Sequence, residues 1–371
     1  MTETKHRNTE GPIRRGSTLC LGYVGLADCA PIVMARELGL FEKHGLRVEL
    51  SREIGWAAVR DKIAHGHLDA AQAVIGLPLA MTLGLGGPPI PCVTGLVLNL
   101  QGNAITLSNE LWELGVRDAK SLRSVISRFR GTRTLTSGVV SSVSSHHFLL
   151  RRWVTLGGID PDNDVRLVVV PPSQVLDSLR AKNLDGFCAG EPWNSLAVAA
   201  RVGWIATLGS EIFPRHPEKV LLAQREFAEQ RAAEYQALIA ALLEACEYCQ
   251  APENHAHVIS VVAGPRCLNR PAECLRPSFS GVFDIGHGRA LSTRDFLIFS
   301  GSDVNEPCAA KGAWALNELR GCGLLPDPVR HAAQVISSVF RYDIYQTAKS
   351  LLSAPDLEPH ENPHAALTPC H

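Results

Sequence analysis

Several things are scarce in this 371-residue sequence, and each scarcity closes off a class of function. Net charge is nearly absent: 36 Lys and Arg stand against 37 Asp and Glu, a formal −1. A chain so balanced has no global basic field to draw it onto nucleic acid or an acidic membrane surface. No stretch of about 18 uninterrupted apolar residues occurs, so no membrane-spanning helix is expected. There is no G-x-S-x-G elbow to hold a nucleophilic serine. The glycine-rich stretch at 83–87 lacks the strand–loop–helix context and the Lys-Ser/Thr of a phosphate loop. No internal repeat is present. A tight cysteine framework is also missing: the 11 cysteines are odd in number and scattered. An oxidising compartment would leave one unpaired and invite mispairing, whereas a reducing cytosol tolerates them as small buried hydrophobes. A cytoplasmic location is therefore expected.

What is present fits a soluble globular chain of two domains at roughly 150 residues each. The opening stretch, Arg14 to Leu50, can be read two ways. Paired arginines, a short apolar run and Ala27-Asp28-Cys29 imitate an export signal ending at a lipid-anchored cysteine. That run is short, holds two glycines, and places Asp28 where a small uncharged residue belongs. The same residues form a better strand–helix–strand unit. Thr18 to Val24 is an apolar strand, Asp28 is a good helix cap, Pro31 falls in the first turn, and Arg47 to Leu50 alternates as a second strand. Cutting at Cys29 would then remove an edge of the core.

The strand–helix alternation continues along the chain. Strands are expected at 70–74, in "PIPCVTGLVLN", "TRTLTSG", "DVRLVVVPP", "DGFCAGEPW" and "KVLLAQREF". Helices are expected in "SSHHFLLRRWVTLGG", "SQVLDSLRAKNL" and the long "RAAEYQALIAALLEACEYCQ". Such alternation over some 300 residues predicts an α/β class with mostly parallel sheets, divided into two lobes with a cleft between them.

The segments "LGYVGLADCAPIVMARELGLFEKHGL", "GGIDPDNDVRLVVVPPSQV", "FCAGEPWN" and "HPEKVLLA" together resemble the nitrate- and bicarbonate-binding proteins of bacterial ABC importers, the NrtA/CmpA group, and their cytoplasmic relative, the nitrate sensor NasS. The resemblance runs over about 17–290, and "FDIGHG" is similar to a turn of the family. It implies a type II periplasmic-binding-protein-like fold with the ligand at the hinge. It also implies a discontinuous lobe one at 17–103 plus 218–325 and a lobe two at 104–217. Residues 1–16 are read as a disordered N-terminus, and 326–371 as a C-terminal helix and disordered tail.

Carried over residue by residue, the resemblance points to a nitrate site of Trp56, Gln101, His146, Gly190 and Lys219. Each is chemically apt. Nitrate is a planar monoanion that needs converging donors and at least one positive charge. Lys219 supplies a point charge and Gln101 an NH₂ group. His146 supplies an N–H near a helix start, Gly190 a close backbone approach, and Trp56 a wall with an indole N–H. Taken singly, each has a blander reading: Lys219 as a solvated lysine, Trp56 as core, His146 as a cap with His147 competing for its role, Gln101 as a loop residue, Gly190 as a turn. In the bicarbonate-binding relatives an acidic residue replaces this lysine and helps to hold calcium, so Lys219 argues for a bare anion and no cofactor. Cys246 and Cys249 with His255 and His257 imitate a zinc set. The cysteines sit i, i+3 on an Ala- and Leu-rich helix, which reads as buried structural cysteine.

The expected function is a cytoplasmic nitrate or nitrite sensor of the NasS type. Its implied partner is an RNA-binding antiterminator protein, NasT-like, with no direct nucleic-acid or membrane contact. The rival is the nitrate-binding component of an ABC importer. A third reading, a thiamine-pyrimidine-synthase-like enzyme, lacks the dense cysteine cluster of those relatives.

Overall fold

Strands that are buried on both faces have to be apolar throughout, and the chain supplies several such runs. In the computed structural model, which describes residues 18–325 and 329–352, they become the centres of two sheets. The strands in chain order are β1 (Leu19–Val24), β2 (Val48–Glu53), β3 (Ala70–Val74), β4 (Cys92–Gln101), β5 (Asn103–Ser108), β6 (Leu135–Val139), β7 (Val165–Val169), β8 (Gly186–Gly190), β9 (Gly203–Leu208), β10 (Pro217–Gln224), β11 (Val282–Gly286), β12 (Arg289–Ser292) and β13 (Leu297–Ile298). A six-stranded sheet has the order β13-β4-β10-β3-β1-β2, and a five-stranded sheet the order β7-β6-β8-β5-β9.

The expected predominance of parallel pairing is corrected. β1 runs parallel to β2 and β3, and β6 to β7 and β8. β10, however, is antiparallel to both β3 and β4, β13 is antiparallel to β4, and β5 is antiparallel to β8 and β9. The cause is the route of the chain. It leaves the first lobe through β4 and returns through β10, so the outgoing and incoming strands lie side by side in opposite senses. β1 lies between β3 and β2, an interior strand and not an edge.

The first crossing is made in a single residue. Gln101 (φ 61°) and Gly102 (φ 102°) turn the chain from one sheet to the other. The left-handed conformation suits glycine, but for glutamine it has to be held by neighbours. Gln101 N–H donates to the His216 carbonyl at 2.9 Å, and its Oε1 accepts from Arg215 N at 2.8 Å. The two crossings are thus stitched together at their closest point.

The lobes are pressed against one another. Leu26, Trp56 and Val74 of the first share one apolar cluster with Val143, Phe148 and Trp193 of the second. Ala27 N–H donates to the Glu191 carbonyl across the seam at 2.7 Å. A Cβ on Gly76 would sit 2.3 Å from the Val143 carbonyl oxygen, so only glycine allows this approach of backbone to backbone.

The hairpin β11–β12, which contains the "FDIGHG" turn, belongs by sequence to the return segment yet packs on the second lobe. His287 stacks on Trp112 at 4.0 Å and 5°, and the Arg289 guanidinium lies 4.6 Å from Trp112 and 5.3 Å from Trp204. Past β13, at the edge of the six-stranded sheet, come the helices Ala309–Gly321, Ala332–Val339 and Tyr342–Leu351. Phe340 bridges to Thr94 of β4, and the last helix packs on the long helix Ala232–Gln250. The expectations for 1–16 and for the extreme C-terminal tail lie outside the described residues.

Candidate functional site

The strands that carry the chain between lobes also carry the most unusual side chains in the protein. Lys219 on β10 is 0% exposed, a state lysine reaches only when paired. Its ammonium lies 2.7 Å from Asp28 Oδ2 and donates to Glu218 Oε1 at 2.5 Å. The Trp56 ring centre is 5.4 Å away. Neighbours along a regular strand point to opposite faces. Glu218 and Lys219 meet because the β10–β4 register shifts on both sides of Lys219, the local irregularity by which bulges re-aim side chains.

Glu218 is the hub. Its Oε2 accepts from Asn103 Nδ2 at 2.5 Å and from the Ser145 hydroxyl. His146 Nδ1 lies 3.6 Å from Oε1, and His216 Nε2 lies 3.7 Å from Oε2. Ser145 and His146 open the 12-residue helix Ser145–Leu156, capped by Ser144, whose side chain accepts from His147 N. A helix start favours a negative charge. Here the resident negative charge is the Glu218 carboxylate. Asp28 completes the group: its Oδ1 accepts from Gln72 Nε2 at 2.7 Å, and Gln72 Oε1 accepts from Val24 N at 3.1 Å.

Burial and charge set the protonation states together. Burial pushes Glu218 up, yet Lys219 and the two imidazoles outweigh it and bring it down to about 2. Burial works against the Lys219 ammonium, but Asp28 and Glu218 hold it above its ordinary value. Burial raises Asp28 above the usual carboxyl range in spite of Lys219. Burial drives His146 down to about 3 against the pull of Glu218, and it also lowers His216. Both imidazoles are neutral at neutral pH. His216 Nδ1 donates to the Phe213 carbonyl at 2.8 Å, which fixes its tautomer.

Of the residues expected from sequence, Trp56, His146, Gly190 and Lys219 come together. His146, not His147, faces the cluster; His147 Nδ1 bonds the Ser142 carbonyl at 2.6 Å. Gly190 pairs with Asn103 across β8 and β5, and a Cβ there would stand 3.5 Å from Asp28 Oδ2. Gln101 does not join them. Its amide is occupied by the Asp295 carbonyl and Arg215 N, which makes it a hinge residue in place of the expected ligand donor. Among the described residues, both His146 ring nitrogens, Trp56 Nε1 and Asn103 Oδ1 have no hydrogen-bond partner. The Lys219 ammonium has three N–H groups and its two carboxylates take two. The site therefore offers spare donors from three elements at the seam of two lobes, the arrangement a small oxyanion needs.

No group of His, Cys, Asp and Glu among the described residues is arranged to hold a metal ion. Cys246 and Cys249 are buried in the core, and His257 bonds the Tyr248 hydroxyl at 2.9 Å.

Residues 15–263 match the model of the NMT1-like family. The chain belongs to that family. Within it, this NMT1-like protein is a member of the NrtA/CmpA group of nitrate- and bicarbonate-binding proteins. It is 31% identical over 357 residues to the bicarbonate-binding protein CmpA of Synechococcus sp., covering 91% of this chain and 79% of that one. It is 40% identical over 343 residues to the nitrate import ATP-binding protein NrtC of Synechocystis sp., covering 92% of this chain but only 51% of the relative. The chain thus spans about half the length of that curated relative. Its fold is similar to the crystal structure of the periplasmic nitrate-binding protein NrtA from Synechocystis, with a TM-score of 0.86 at 26% identity, over 91% of this chain and 89% of that one.

The NMT1-like chain has more in its site than the family resemblance suggested. Asp28, expected as a helix cap, caps nothing; it lies buried in the turn Ala27–Cys29 against Lys219. Gln72, Asn103, Ser145, His216 and Glu218 are further members. The Glu-Lys pair in "HPEK" and the polar residues inside otherwise apolar strands were the available signals.

Proposed function

We propose that the chain is the oxyanion-binding component of a bacterial ABC importer, holding nitrate, nitrite or bicarbonate at the Lys219 cluster between the lobes. The observation that carries this reading is the set of unpartnered donors, Trp56 Nε1 and the His146 ring, around a fully buried Lys219. The names of the relatives support the importer context and favour it over the sensor. Nitrate has four heavy atoms, and at about 1.5 kcal/mol each the affinity is bounded at Kd of roughly tens of micromolar. Calorimetric titration with nitrate, nitrite and bicarbonate tests the reading. Trp56→Phe removes one N–H while keeping an aromatic wall. A hydrogen bond to a charged group is worth roughly 1.5–3 kcal/mol, so nitrate binding is expected to weaken about ten- to a hundredfold. A variant that binds as well as the parent would remove Trp56 from the site.

The sensor reading, with its antiterminator partner, uses the same pocket in a different compartment. Cys29, next to Asp28, and Cys267 register that difference: their Sγ atoms are 3.6 Å apart. A disulfide needs about 2.05 Å, a small approach. In an importer component working in an oxidising compartment, mass spectrometry after denaturing alkylation is expected to find Cys29 joined to Cys267. Two alkylated thiols in chain taken from its native cells would favour the cytoplasmic sensor.

A further inference from the structure

The donors of the site are for the most part already committed to the protein's own carboxylates. Two of the three Lys219 N–H groups face Asp28 and Glu218. The start of the helix Ser145–Leu156, with the Ser145 hydroxyl and Asn103 Nδ2, faces Glu218 as well. The buried balance is two carboxylates to one ammonium. Among the described residues, no other charged group is paired with these carboxylates. The groups facing Asp28 and its partners are Lys219 and Glu218 from β10, His146 from the helix, His216 from the return crossing, and the Cys29 and Cys188 thiols. An entering anion would make three negative charges against one positive, all shut away from water. Buried charge without compensation is not tolerated; the group neutralises instead.

We infer that the site captures one anion together with one proton, and that Asp28 is the acceptor of that proton. This rests on the oxyanion reading above and deepens it. Glu218 is the poorer acceptor because three donors and a helix start hold its ionised form. Asp28 is held only by Lys219 and Gln72, and burial already favours its acid. The proton passes from water to an Asp28 carboxylate oxygen. The neutral acid releases the Lys219 ammonium to the anion and gains an O–H that can itself donate to it. Asp28 is thus a specificity-determining residue: it makes capture depend on proton supply.

The test is calorimetry of the full chain with nitrate, whose own charge is fixed near neutral pH, in buffers of different ionisation heat and over a pH series. One proton taken up per nitrate is expected, with Kd weakening about tenfold per pH unit above the Asp28 titration. The Asp28→Asn chain is expected to bind nitrate with no proton uptake and no pH slope. Nitrate binding without proton uptake by the parent chain overturns the inference and leaves the oxyanion reading intact. Proton uptake that persists in a folded Asp28→Asn chain overturns the assignment to Asp28. No heat with nitrate, nitrite or bicarbonate overturns both. If Asp28→Asn does not fold, the proton count of the parent chain decides the coupling.

Discussion

Lys219→Ala is expected to unfold more easily than the parent by roughly 3–5 kcal/mol, the cost of breaking a buried ion pair from one side. Two carboxylates lose their shared cation at once, and both are fully buried. Lys219→Met separates charge from volume: it fills most of the space yet leaves the same unpaired acids, so it is expected to be nearly as unstable as the alanine variant. Adding Glu218→Gln to Lys219→Met is expected to restore a large share, a non-additivity that a double-mutant cycle in urea measures directly. The pH dependence has a definite sign. Without Lys219, the folded-state pKa values of Asp28 and Glu218 rise above their unfolded values. The deficit is therefore smallest in acid and grows as pH rises through the unfolded carboxyl range. Equal losses for the single and double variants would show that the ion group does not hold the fold.

The second large effect is expected at Gly76. A Cβ there would meet the Val143 carbonyl at 2.3 Å, closer than the 3.0 Å that real Cβ atoms keep, and a backbone atom cannot swing aside. The Val143 loop leads directly into Ser145 and His146. Gly76→Ala must therefore either part the lobes or draw those residues away from Glu218. Overpacking of this kind costs about 1–3 kcal/mol, and the strain falls on the closed arrangement. Nitrate binding is expected to weaken about ten- to a hundredfold while each sheet keeps its own core. Gly87→Ala, where a Cβ meets nothing within 4 Å, is the control. Unchanged binding in Gly76→Ala would mean that the site does not need the lobes in contact.

Most of the β-strands were legible in the residue pattern, because strand and helix periods alternate and glycine or proline marks the breaks. β5 was not, since the chain passes from one sheet to the other across Gly102 alone and the apolar run continues. β9 was hidden in the same way, behind the apolar helix Trp193–Ala199. The mixed pairing was illegible because it follows from the path between lobes, and local sequence carries no record of that. In the site, the family pattern placed Trp56, His146, Gly190 and Lys219. Glu218 was hidden by strand alternation, which assigns it to the face opposite Lys219 until a register shift turns it. Gln101 was plausible as a donor because nothing in sequence shows which acceptor an amide will choose. The hinge backbone chose it first.

The hairpin β11–β12 places a limit on how the two halves can separate. It arises from the return segment but rests on Trp112 and Trp204, held by stacked rings and cations, with a cavity of ≈ 470 Å³ along the same seam between Asn109, Arg201, Asp284 and His287. A jaw with this clasp cannot swing freely on its two crossings. Either the clasp unfastens, exposing two indoles, or it travels with the second half and pays out the chain on either side of it. If an anion reaches the Lys219 cluster by a parting of the halves, the energy of the clasp becomes part of that step.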